Sequence, residues 1–456
     1  MSKNFSSDLT GGSVAKQLLK FCIPFLLSNL LQALYNIADM FIVGQFDGSA
    51  GISGVSNGGQ VTMLIINFVT GLAVGATVLV AQHIGAKRNE DAQKTVSTVF
   101  TLMAISGVVI SVLMTFLSEP IMRLIQTPEE SFSQALDYVR ICSYGIIFTF
   151  LYNAISGVMR GMGDSKHPLI FVAIACIVNI VLDYVFVGIF KMSAAGAAWA
   201  TISSQAISVI ISVIYLKKNG FMFDFKLRSF RIDKKTLMRI LKIGFPTAIQ
   251  NVVTSLSFMI INILVNGYGV DASAAAGITG KFNSVAILPI IAMSMSVASM
   301  AGQNIGARLY DRALDTMKTS IKISFVIGGV IFLFVQLFPA AVISIFDNSE
   351  AVVEYGVQYI RAFSFDYIIV PIVFSVNGLL NGAGHTTFSL FNGMLSAVLL
   401  RAPFAILLGK VFNLGMMGIG LGGPIASLGS AIIGLIYIKS GKWMISRIGE
   451  PSEKRI

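Results

Sequence analysis

Charged residues are scarce in this chain of 456 residues. Only 12% of its residues are charged and 55% are hydrophobic, whereas a soluble domain carries roughly 25% charged residues. So few charges cannot cover the surface of a water-soluble protein of this length. They suffice where lipid tails cover the surface, because lipid is as apolar as leucine. The composition therefore predicts an integral membrane protein.

Cysteine and histidine are also rare, and neither is clustered. Each of the three cysteines (Cys22, Cys142 and Cys176) stands alone in an apolar stretch, and the three histidines are scattered. This spacing offers neither a disulfide framework nor a metal-binding motif. The sequence also lacks a nucleotide-binding glycine loop and a cleavable signal pattern. We therefore expect neither an enzyme nor a bound cofactor.

Long apolar blocks make up most of the chain. They are continuous and show no alternation of period two, so they predict helices rather than the strands of a barrel. The result is an all-α membrane protein with twelve transmembrane helices. The predicted spans 1 to 12 cover residues 18–43, 54–83, 95–117, 138–159, 168–190, 196–216, 241–265, 278–303, 319–346, 358–380, 387–411 and 417–438.

Basic residues collect on one side of these spans. Most of the 33 lysine and arginine residues fall before span 1, after the even-numbered spans or in the tail, and the stretch 217–242 is especially basic. Such a bias marks the cytoplasmic side of a membrane protein. We expect a multi-pass protein of the plasma or inner membrane with both termini in the cytoplasm. The net charge of +11 reflects this topology, and no nucleic acid is expected as a partner.

The chain repeats itself at an offset of 221 or 222 residues. The repeated motifs are Phe21–Pro24 with Ile243–Pro246, Gln82–Lys87 with Gln303–Arg308, and Arg160–Gly163 with Asn381–Gly384. Because each half holds an even number of spans, the halves share one orientation, which is typical of transporters that alternate access between two bundles. The predicted divisions are an N-terminal six-helix lobe (1–216), a basic linker (217–240), a C-terminal lobe (241–438) and a cytoplasmic tail (439–456).

Two carboxylates lie well inside the predicted spans. Asp39 belongs to span 1 and Asp183 to span 5, and both lie within roughly one helical turn of the same depth, near the outer end. A buried carboxylate in a bilayer is costly, so such residues point to function. Two carboxylates, an amide oxygen and a hydroxyl can bind a hard cation such as Na⁺ or share a proton. The accompanying polar residues are Gln32, Tyr35 and Asn36 on the face of Asp39, Asn179 on the face of Asp183, and Thr201 in span 6.

The internal repeat provides a control for this cluster. An offset of 222 places Ile261 opposite Asp39, and an offset of 221 places Phe404 opposite Asp183 and Leu400 opposite Asn179. A six-helix bundle therefore forms without these polar groups, which favours a functional role. Hydrogen bonding between helices is the structural alternative.

The second half carries its own intramembrane charges. Lys281 and Arg401 lie inside spans 8 and 11, and Asp366 lies near the outer end of span 10. Structural pairing and a role in substrate binding or ion coupling remain open for these three residues. Pro24, one turn into span 1, either acts as a hinge or only shapes the helix.

The motifs resemble those of the multidrug and toxic compound extrusion (MATE) transporters over essentially the whole chain. The resemblance rests on Pro24, the stretch Tyr35–Gly44, the turn Gln82–Ala86 with its copy, and Asn179 four residues before Asp183. It implies efflux of cationic or amphipathic drugs in exchange for H⁺ or Na⁺. It also implies a prokaryotic branch whose coupling site, in the N-terminal lobe, comprises Asp39, Asn179, Asp183 and Thr201; these residues would ligate a metal only if the ion is Na⁺. Gln32, Tyr35 and Asn36 match accessory or substrate-binding positions.

A flippase for lipid-linked oligosaccharides or cell-wall precursors is the main alternative, since the same superfold hosts such proteins. A flippase needs several cationic residues to hold a pyrophosphate, whereas only Lys281 and Arg401 are available here. We expect small amphipathic or cationic molecules and the lipid bilayer as partners, and a monomer. The sequence does not distinguish H⁺ from Na⁺ as the coupling ion.

Overall fold

The computed structural model describes residues 5–444, and that part of the chain is almost wholly helical. Nine of its helices are long and apolar enough to cross a membrane, and three bent helix pairs bring the number of spans to twelve. The predicted all-α membrane fold is confirmed. Spans 1 to 12 comprise Val14–Gly48, Gly51–Gly85, Asn89–Leu124, Glu129–Tyr144 with Ile146–Gly161, Lys166–Ile189, Ser193–Lys218, Lys234–Asn266, Val270–Ala286 with Leu288–Gly306, Tyr310–Leu337, Glu350–Ser364 with Asp366–Gly382, Thr386–Val411 and Gly415–Lys439.

The three bent spans are spans 4, 8 and 10. Their two helices meet at 52°, 41° and 42°, respectively. The break in span 4 lies at Gly145 and that in span 10 at Phe365, one residue before the repeat equivalent of Gly145. In span 8 a proline opens the second helix, where its missing N–H and fixed φ fit a helix start.

The structure differs from the prediction in span 9, and most of the predicted tail is not described. Span 9 was predicted as one helix over 319–346, but its helix ends at Leu337 and a separate short helix covers Pro339–Ser344. That prediction was wrong because Pro339 cannot continue the hydrogen-bonding ladder of the preceding helix. In the predicted tail, residues 445–456 lie outside the described residues.

By packing, the chain divides into two compact units. The first comprises Met1–Asp8 and Ile23–Gly244, and the second comprises Leu9–Cys22 and Phe245–Ile456. The changeovers lie within two residues of Pro24 and of Pro246. The start of span 1 therefore belongs to the second unit, and the start of span 7 belongs to the first. The lobe boundaries predicted at residues 216 and 241 stay a prediction.

In the first unit, the basic linker is packed onto the helical bundle. The Phe223 ring stacks on Phe100 with centroids 5.0 Å apart, and Phe5 meets Phe221 edge-on at 5.7 Å. The Ser97 hydroxyl donates to the carbonyl of Ser229 at 2.6 Å. These contacts bury apolar surface, so the linker is held in place while its charged side chains stay exposed.

The second unit holds the N-terminal segment in a corresponding way. The backbone N–H of Leu9 donates to the Gln303 side chain at 3.0 Å. The Arg312 guanidinium donates to the carbonyls of Gly11 and Gly12 at 2.6 and 2.8 Å. Gln303 is part of the repeated turn motif that the sequence singled out, and here it anchors the chain ahead of span 1.

The internal repeat is visible in the backbone itself. Residues with positive φ recur at an offset of 221 or 222, namely Gly48 with Gly269, Lys87 with Arg308, Gly163 with Gly384, Lys191 with Asn413, Ser193 with Gly415 and Gly220 with Gly441. Non-glycine residues seldom adopt this conformation, so Lys87 and Arg308 mark the same turn in each half. The two halves thus share their turns as well as their spans.

Span 11 departs from span 5 by one extra π-helical segment. Both spans end in a π-helix, at Tyr184–Ile189 and Leu407–Val411. Span 11 also contains a π-helix at Leu395–Arg401 where span 5 is α-helical. A π-turn closes over one more residue than an α-turn. The extra residue changes the repeat offset from 221 at Gly163 and Gly384 to 222 at Lys191 and Asn413.

Candidate functional site

The structure brings the two intramembrane carboxylates of the first unit together. The side chains of Asp39, on span 1, and Asp183, on span 5, lie within hydrogen-bonding reach of each other. Asp39 is 4% exposed and Asp183 is fully buried. The structure thus brings the two residues together, and their equal depth in the membrane stays a prediction.

The cluster contains several buried polar atoms without a hydrogen-bond donor or acceptor. They are Asp39 Oδ1, both carboxylate oxygens of Asp183, both polar atoms of the Asn179 side chain and the Thr201 hydroxyl. None of the salt bridges in the described part of the chain involves either aspartate. Two ionised carboxylates this close repel each other. A shared proton or a bound cation between them would remove the repulsion.

Asn179 and Thr201 differ in how directly they join this pair. Asn179 lies one turn before Asp183 on span 5 and is 1% exposed, so it shares the buried face. Thr201 lies on span 6, which packs along span 5, and its side chain is half-buried. Their membership in an ion site stays a prediction.

The predicted face of span 1 straddles the edge of the protein interior. Asp39 is buried and Tyr35 half-buried, whereas Gln32 and Asn36 are exposed. On a helix of about 3.6 residues per turn, Tyr35 and Asp39 occupy one side of this face and Asn36 the other. Tyr35 interacts electrostatically with both aspartates. The four residues thus form two rows, one at the carboxylates and one at the accessible surface.

Two further residues interact electrostatically with Asp39 and were not predicted. Cys142, on span 4, interacts electrostatically with Asp39 and lies within hydrogen-bonding reach of Tyr138 and Thr62. Tyr138 also interacts electrostatically with the Asp39 carboxylate. From its spacing alone Cys142 was predicted to be an isolated thiol, because no other cysteine and no histidine lies near it in the chain. Tyr138 had one usable signal, since Tyr359 occupies its position in the second half.

The core around the aspartates has an apolar counterpart in the second unit. Val43, Tyr138, Ala194 and Ala197 pack in one cluster of the first unit. Their equivalents Val265, Tyr359, Met416 and Ile419 pack in a cluster that also contains Ile261 and Ala405. Ile261 and Ala405 stand at an offset of 222 from Asp39 and Asp183.

This correspondence corrects part of the sequence-based control. The offset of 221 paired Asp183 with Phe404 and Asn179 with Leu400, which was wrong by one residue. The extra π-turn at Leu395–Arg401 shifts the register, so Ala405 matches Asp183 and Arg401 matches Asn179. The carboxylates still have only apolar counterparts, but the counterpart of Asn179 is a cation.

Two of the three charged candidates in the second unit lie near each other. Asp366 and Arg401 interact electrostatically, and Arg401 also interacts with Tyr359. Lys281 is exposed and has no salt bridge within the described residues. The structure therefore joins Asp366 to Arg401 and leaves Lys281 apart from them.

Pro24 lies inside a continuous helical stretch beside a changeover between the two units. It is buried, and its carbonyl accepts a hydrogen bond from the Ser28 hydroxyl at 2.9 Å. Proline removes one backbone hydrogen bond from the preceding turn. The position suits a hinge, and the hinge role stays a prediction.

A known family model matches this chain twice, once in each half of the internal repeat. The MatE family model matches residues 24–185 and again 246–407. The chain is 31% identical over 441 residues to the probable multidrug resistance protein YpnP of Bacillus subtilis (strain 168), covering 97% of this chain and 98% of that protein. It is 28% identical to the probable multidrug resistance protein NorM of Thermotoga maritima, covering 97% and 96% of the two chains.

A solved structure with the same fold is that of a MOP superfamily transporter from Pyrococcus furiosus Vc1. It superposes with a TM-score of 0.89 at 25% identity and covers 96% of this chain and 98% of that chain. For that protein, a binding pocket of reversed polarity suggests a different function. Since the family model matches most of the chain in two copies, and relatives align over nearly its full length, the chain belongs to the MATE family of membrane transporters.

Proposed function

We propose that this protein exports organic cations or amphipathic drugs in exchange for H⁺ or Na⁺, with Asp39 and Asp183 as the coupling site. The observation that carries the proposal is the contact between two buried carboxylates that lack a salt-bridge partner. The relatives named above are probable multidrug resistance proteins, which supports drugs as the cargo.

The repeat supports a functional reading of this pair. In the second unit the equivalent positions hold Ile261 and Ala405, which are 5% and 0% exposed and pack in one core cluster. The same helix arrangement is thus stable with apolar side chains. Since a carboxylate is costly in a bilayer, its presence in one half only calls for a function.

The proposed cycle couples two opposite movements through one charge. Facing outward, the Asp39–Asp183 pair takes up H⁺ or Na⁺, which favours a changed packing of span 1 near Pro24 and release of the drug. Facing inward, the pair releases the ion and a cationic drug competes for the same negative charge. One ion crossing a potential of 100 mV supplies roughly 2.3 kcal/mol, enough for about fiftyfold accumulation.

Residues of the cluster suit either ion. Carboxylate, amide and hydroxyl oxygens, from Asp39, Asp183, Asn179 and Thr201, are the ligands that hard cations prefer. The same two carboxylates can hold a single shared proton. Gln32 and Asn36, which are exposed beside the pair, are proposed to contact the drug.

The test is uptake of ethidium into inverted membrane vesicles under an imposed proton gradient or sodium gradient. Asp39→Asn is expected to abolish gradient-driven uptake, and the gradient that drives wild-type uptake identifies the ion. Asp47→Asn is the matched control, because Asp47 lies on the same helix and accepts a hydrogen bond from Ser193 at 2.8 Å. It is expected to retain uptake.

Full uptake by correctly inserted Asp39→Asn protein would refute the coupling role of the pair. Absence of uptake by wild-type protein under both gradients, across several cationic drugs, would favour the flippase alternative. We further propose a plasma-membrane location, cytoplasmic termini and a monomeric transporter.

A further inference from the structure

The second unit contains a charged cluster at the position that mirrors the coupling site. Arg401 stands where Asn179 stands in the first unit, one turn before the counterpart of Asp183. Its guanidinium lies over the Phe258 ring at 4.4 Å, and Phe258 is itself the counterpart of Asn36. The repeat thus places a fixed cation at a position whose equivalent belongs to an acidic site.

Arg401 is not neutralised by a direct contact. Its Nε and Nη1 atoms are buried without a hydrogen-bond acceptor. No salt bridge of the described residues, at the 4.0 Å limit, includes Arg401 or Asp366. Arginine is always protonated, and a buried cation without hydrogen bonds is strongly unfavourable. Arg401 as a whole is half-buried, and its two buried donors call for an acceptor that these side chains do not supply.

Two neighbouring residues also have polar atoms without a hydrogen-bond partner. Asp366 is 6% exposed, and its Oδ1 atom is buried without a hydrogen-bond partner. The Asp366 side chain also lies within hydrogen-bonding reach of Ser427. The hydroxyl of Tyr367, which is 1% exposed, is also without a partner. Arg401 and Tyr367 each interact electrostatically with Asp366, so the three residues form a polar cluster in an apolar bundle.

We propose that this polar cluster binds a singly charged anion, either a halide or the carboxylate group of an organic acid, with Arg401 as its principal ligand. A guanidinium offers two parallel N–H groups to a carboxylate and also binds simple anions. Asp366 limits the affinity through its negative charge, and the Tyr367 hydroxyl donates a further hydrogen bond. The transporter then carries two sites of opposite polarity at mirrored positions, one for cations and one for anions.

The test is equilibrium binding of radiolabelled benzoate to the purified full-length protein in detergent, with bromide as competitor. Wild-type protein is expected to bind benzoate saturably at one site per chain. Arg401→Gln is expected to lose this binding, and Arg401→Lys to retain part of it because the charge is kept. Asp366→Asn is expected to tighten binding roughly tenfold, because a nearby like charge is removed.

Lys410→Gln is the matched control, since Lys410 is an exposed cation on the same span, and it is expected to bind like wild type. Competition by bromide at concentrations similar to those of benzoate assigns the site to small anions in general, and its failure assigns the site to carboxylates. Absence of saturable binding in wild type, or equal binding by Arg401→Gln, would overturn the proposal. The assay measures binding alone, so its result is independent of drug transport and of Asp39.

Discussion

At the scale of single residues, Asp39 and Asp183 form an arrangement that lowers the stability of the fold. Both side chains are buried, and no cation of the described chain forms a salt bridge with either. Strained or repulsive arrangements of this kind persist where function requires them. Ile261 and Ala405 show the stable apolar solution at the same positions.

Replacing one of the two carboxylates should therefore stabilise the protein while it impairs transport. We expect Asp183→Asn to raise the midpoint of thermal unfolding in detergent at pH 8 by roughly 1–3 °C, because about 1 kcal/mol of repulsion is relieved. Asp47→Asn should produce no such rise. A lower midpoint for Asp183→Asn would show that the pair stabilises the fold and that its role is structural.

Residue identity also explains what the sequence revealed about the site. Charge inside an apolar span is visible in any sequence, so Asp39 and Asp183 were predicted to lie together. Tyr138, Cys142 and Thr62 went unnoticed because their polarity is ordinary for a membrane helix. The electrostatic interaction of Tyr138 and Cys142 with Asp39 depends on how span 4 packs against span 1, where both residues share a cluster with Val43.

At the scale of helices, the start of span 7 illustrates local control of structure. Asp233 precedes the helix Lys234–Asn266, and its carboxylate accepts hydrogen bonds from the backbone N–H and the hydroxyl of Thr236 at 2.8 and 2.7 Å. These bonds satisfy a donor at the helix N-terminus. The hydrogen bonds from Thr236 hold the pKa of Asp233 below its usual value.

Removing this cap should destabilise the protein in a pH-dependent way. We expect Asp233→Ala to lower the free energy of unfolding by about 1 kcal/mol at pH 7. Because the folded-state pKa is depressed, the contribution is present above the usual aspartate pKa of about 3.9 and is lost as the pH falls through the folded-state value. Thermal unfolding of wild type and variant from pH 3 to pH 7 measures the difference.

Asp315→Ala serves as the control for the cap, since Asp315 is an exposed residue in the second turn of the helix Tyr310–Leu337, after the capping position. It should change the unfolding midpoint little across the same pH range. A difference between Asp233→Ala and wild type that persists unchanged at pH 3 would contradict the assignment of the effect to the charged cap.

Helix geometry also decided the one error in the internal comparison. A single extra residue in span 11 is absorbed by the π-helix Leu395–Arg401, which is invisible to a count along the sequence. From that point the repeat offset is 222 instead of 221. The counterpart of Arg401 is therefore Asn179 and not the apolar residue Ile180. The charged cluster of the second unit becomes interpretable only with this corrected register.

At the scale of the whole molecule, the predicted orientation can be tested directly. Leu227 in the linker is 93% exposed and Leu124 at the end of span 3 is 81% exposed. The basic-residue bias places Leu227 in the cytoplasm and Leu124 outside. The three native cysteines are buried, so they should react slowly and leave introduced cysteines as the main sites.

We expect a membrane-impermeant maleimide to label Leu124→Cys in intact cells and to label Leu227→Cys only after the membrane is opened. The two substitutions serve as controls for each other, because both positions are highly exposed and lie outside apolar contacts. Labelling of Leu227→Cys in intact cells would invert the proposed topology. Labelling of both or neither would contradict placement on opposite sides of the membrane.

The sequence by itself determined the twelve spans, the twofold repeat and the pair of intramembrane aspartates. Lipid leaves backbone groups no water to bond, so an apolar run of sufficient length must form a helix, and charge within it is conspicuous. The tertiary structure alone decided which neutral groups surround Asp39, where spans 4, 8 and 10 bend, and where the chain passes between units near Pro24 and Pro246. It also placed Arg401 within electrostatic range of Asp366. These features depend on side-chain packing and on one inserted residue, and neither changes the hydrophobic pattern from which a sequence is interpreted.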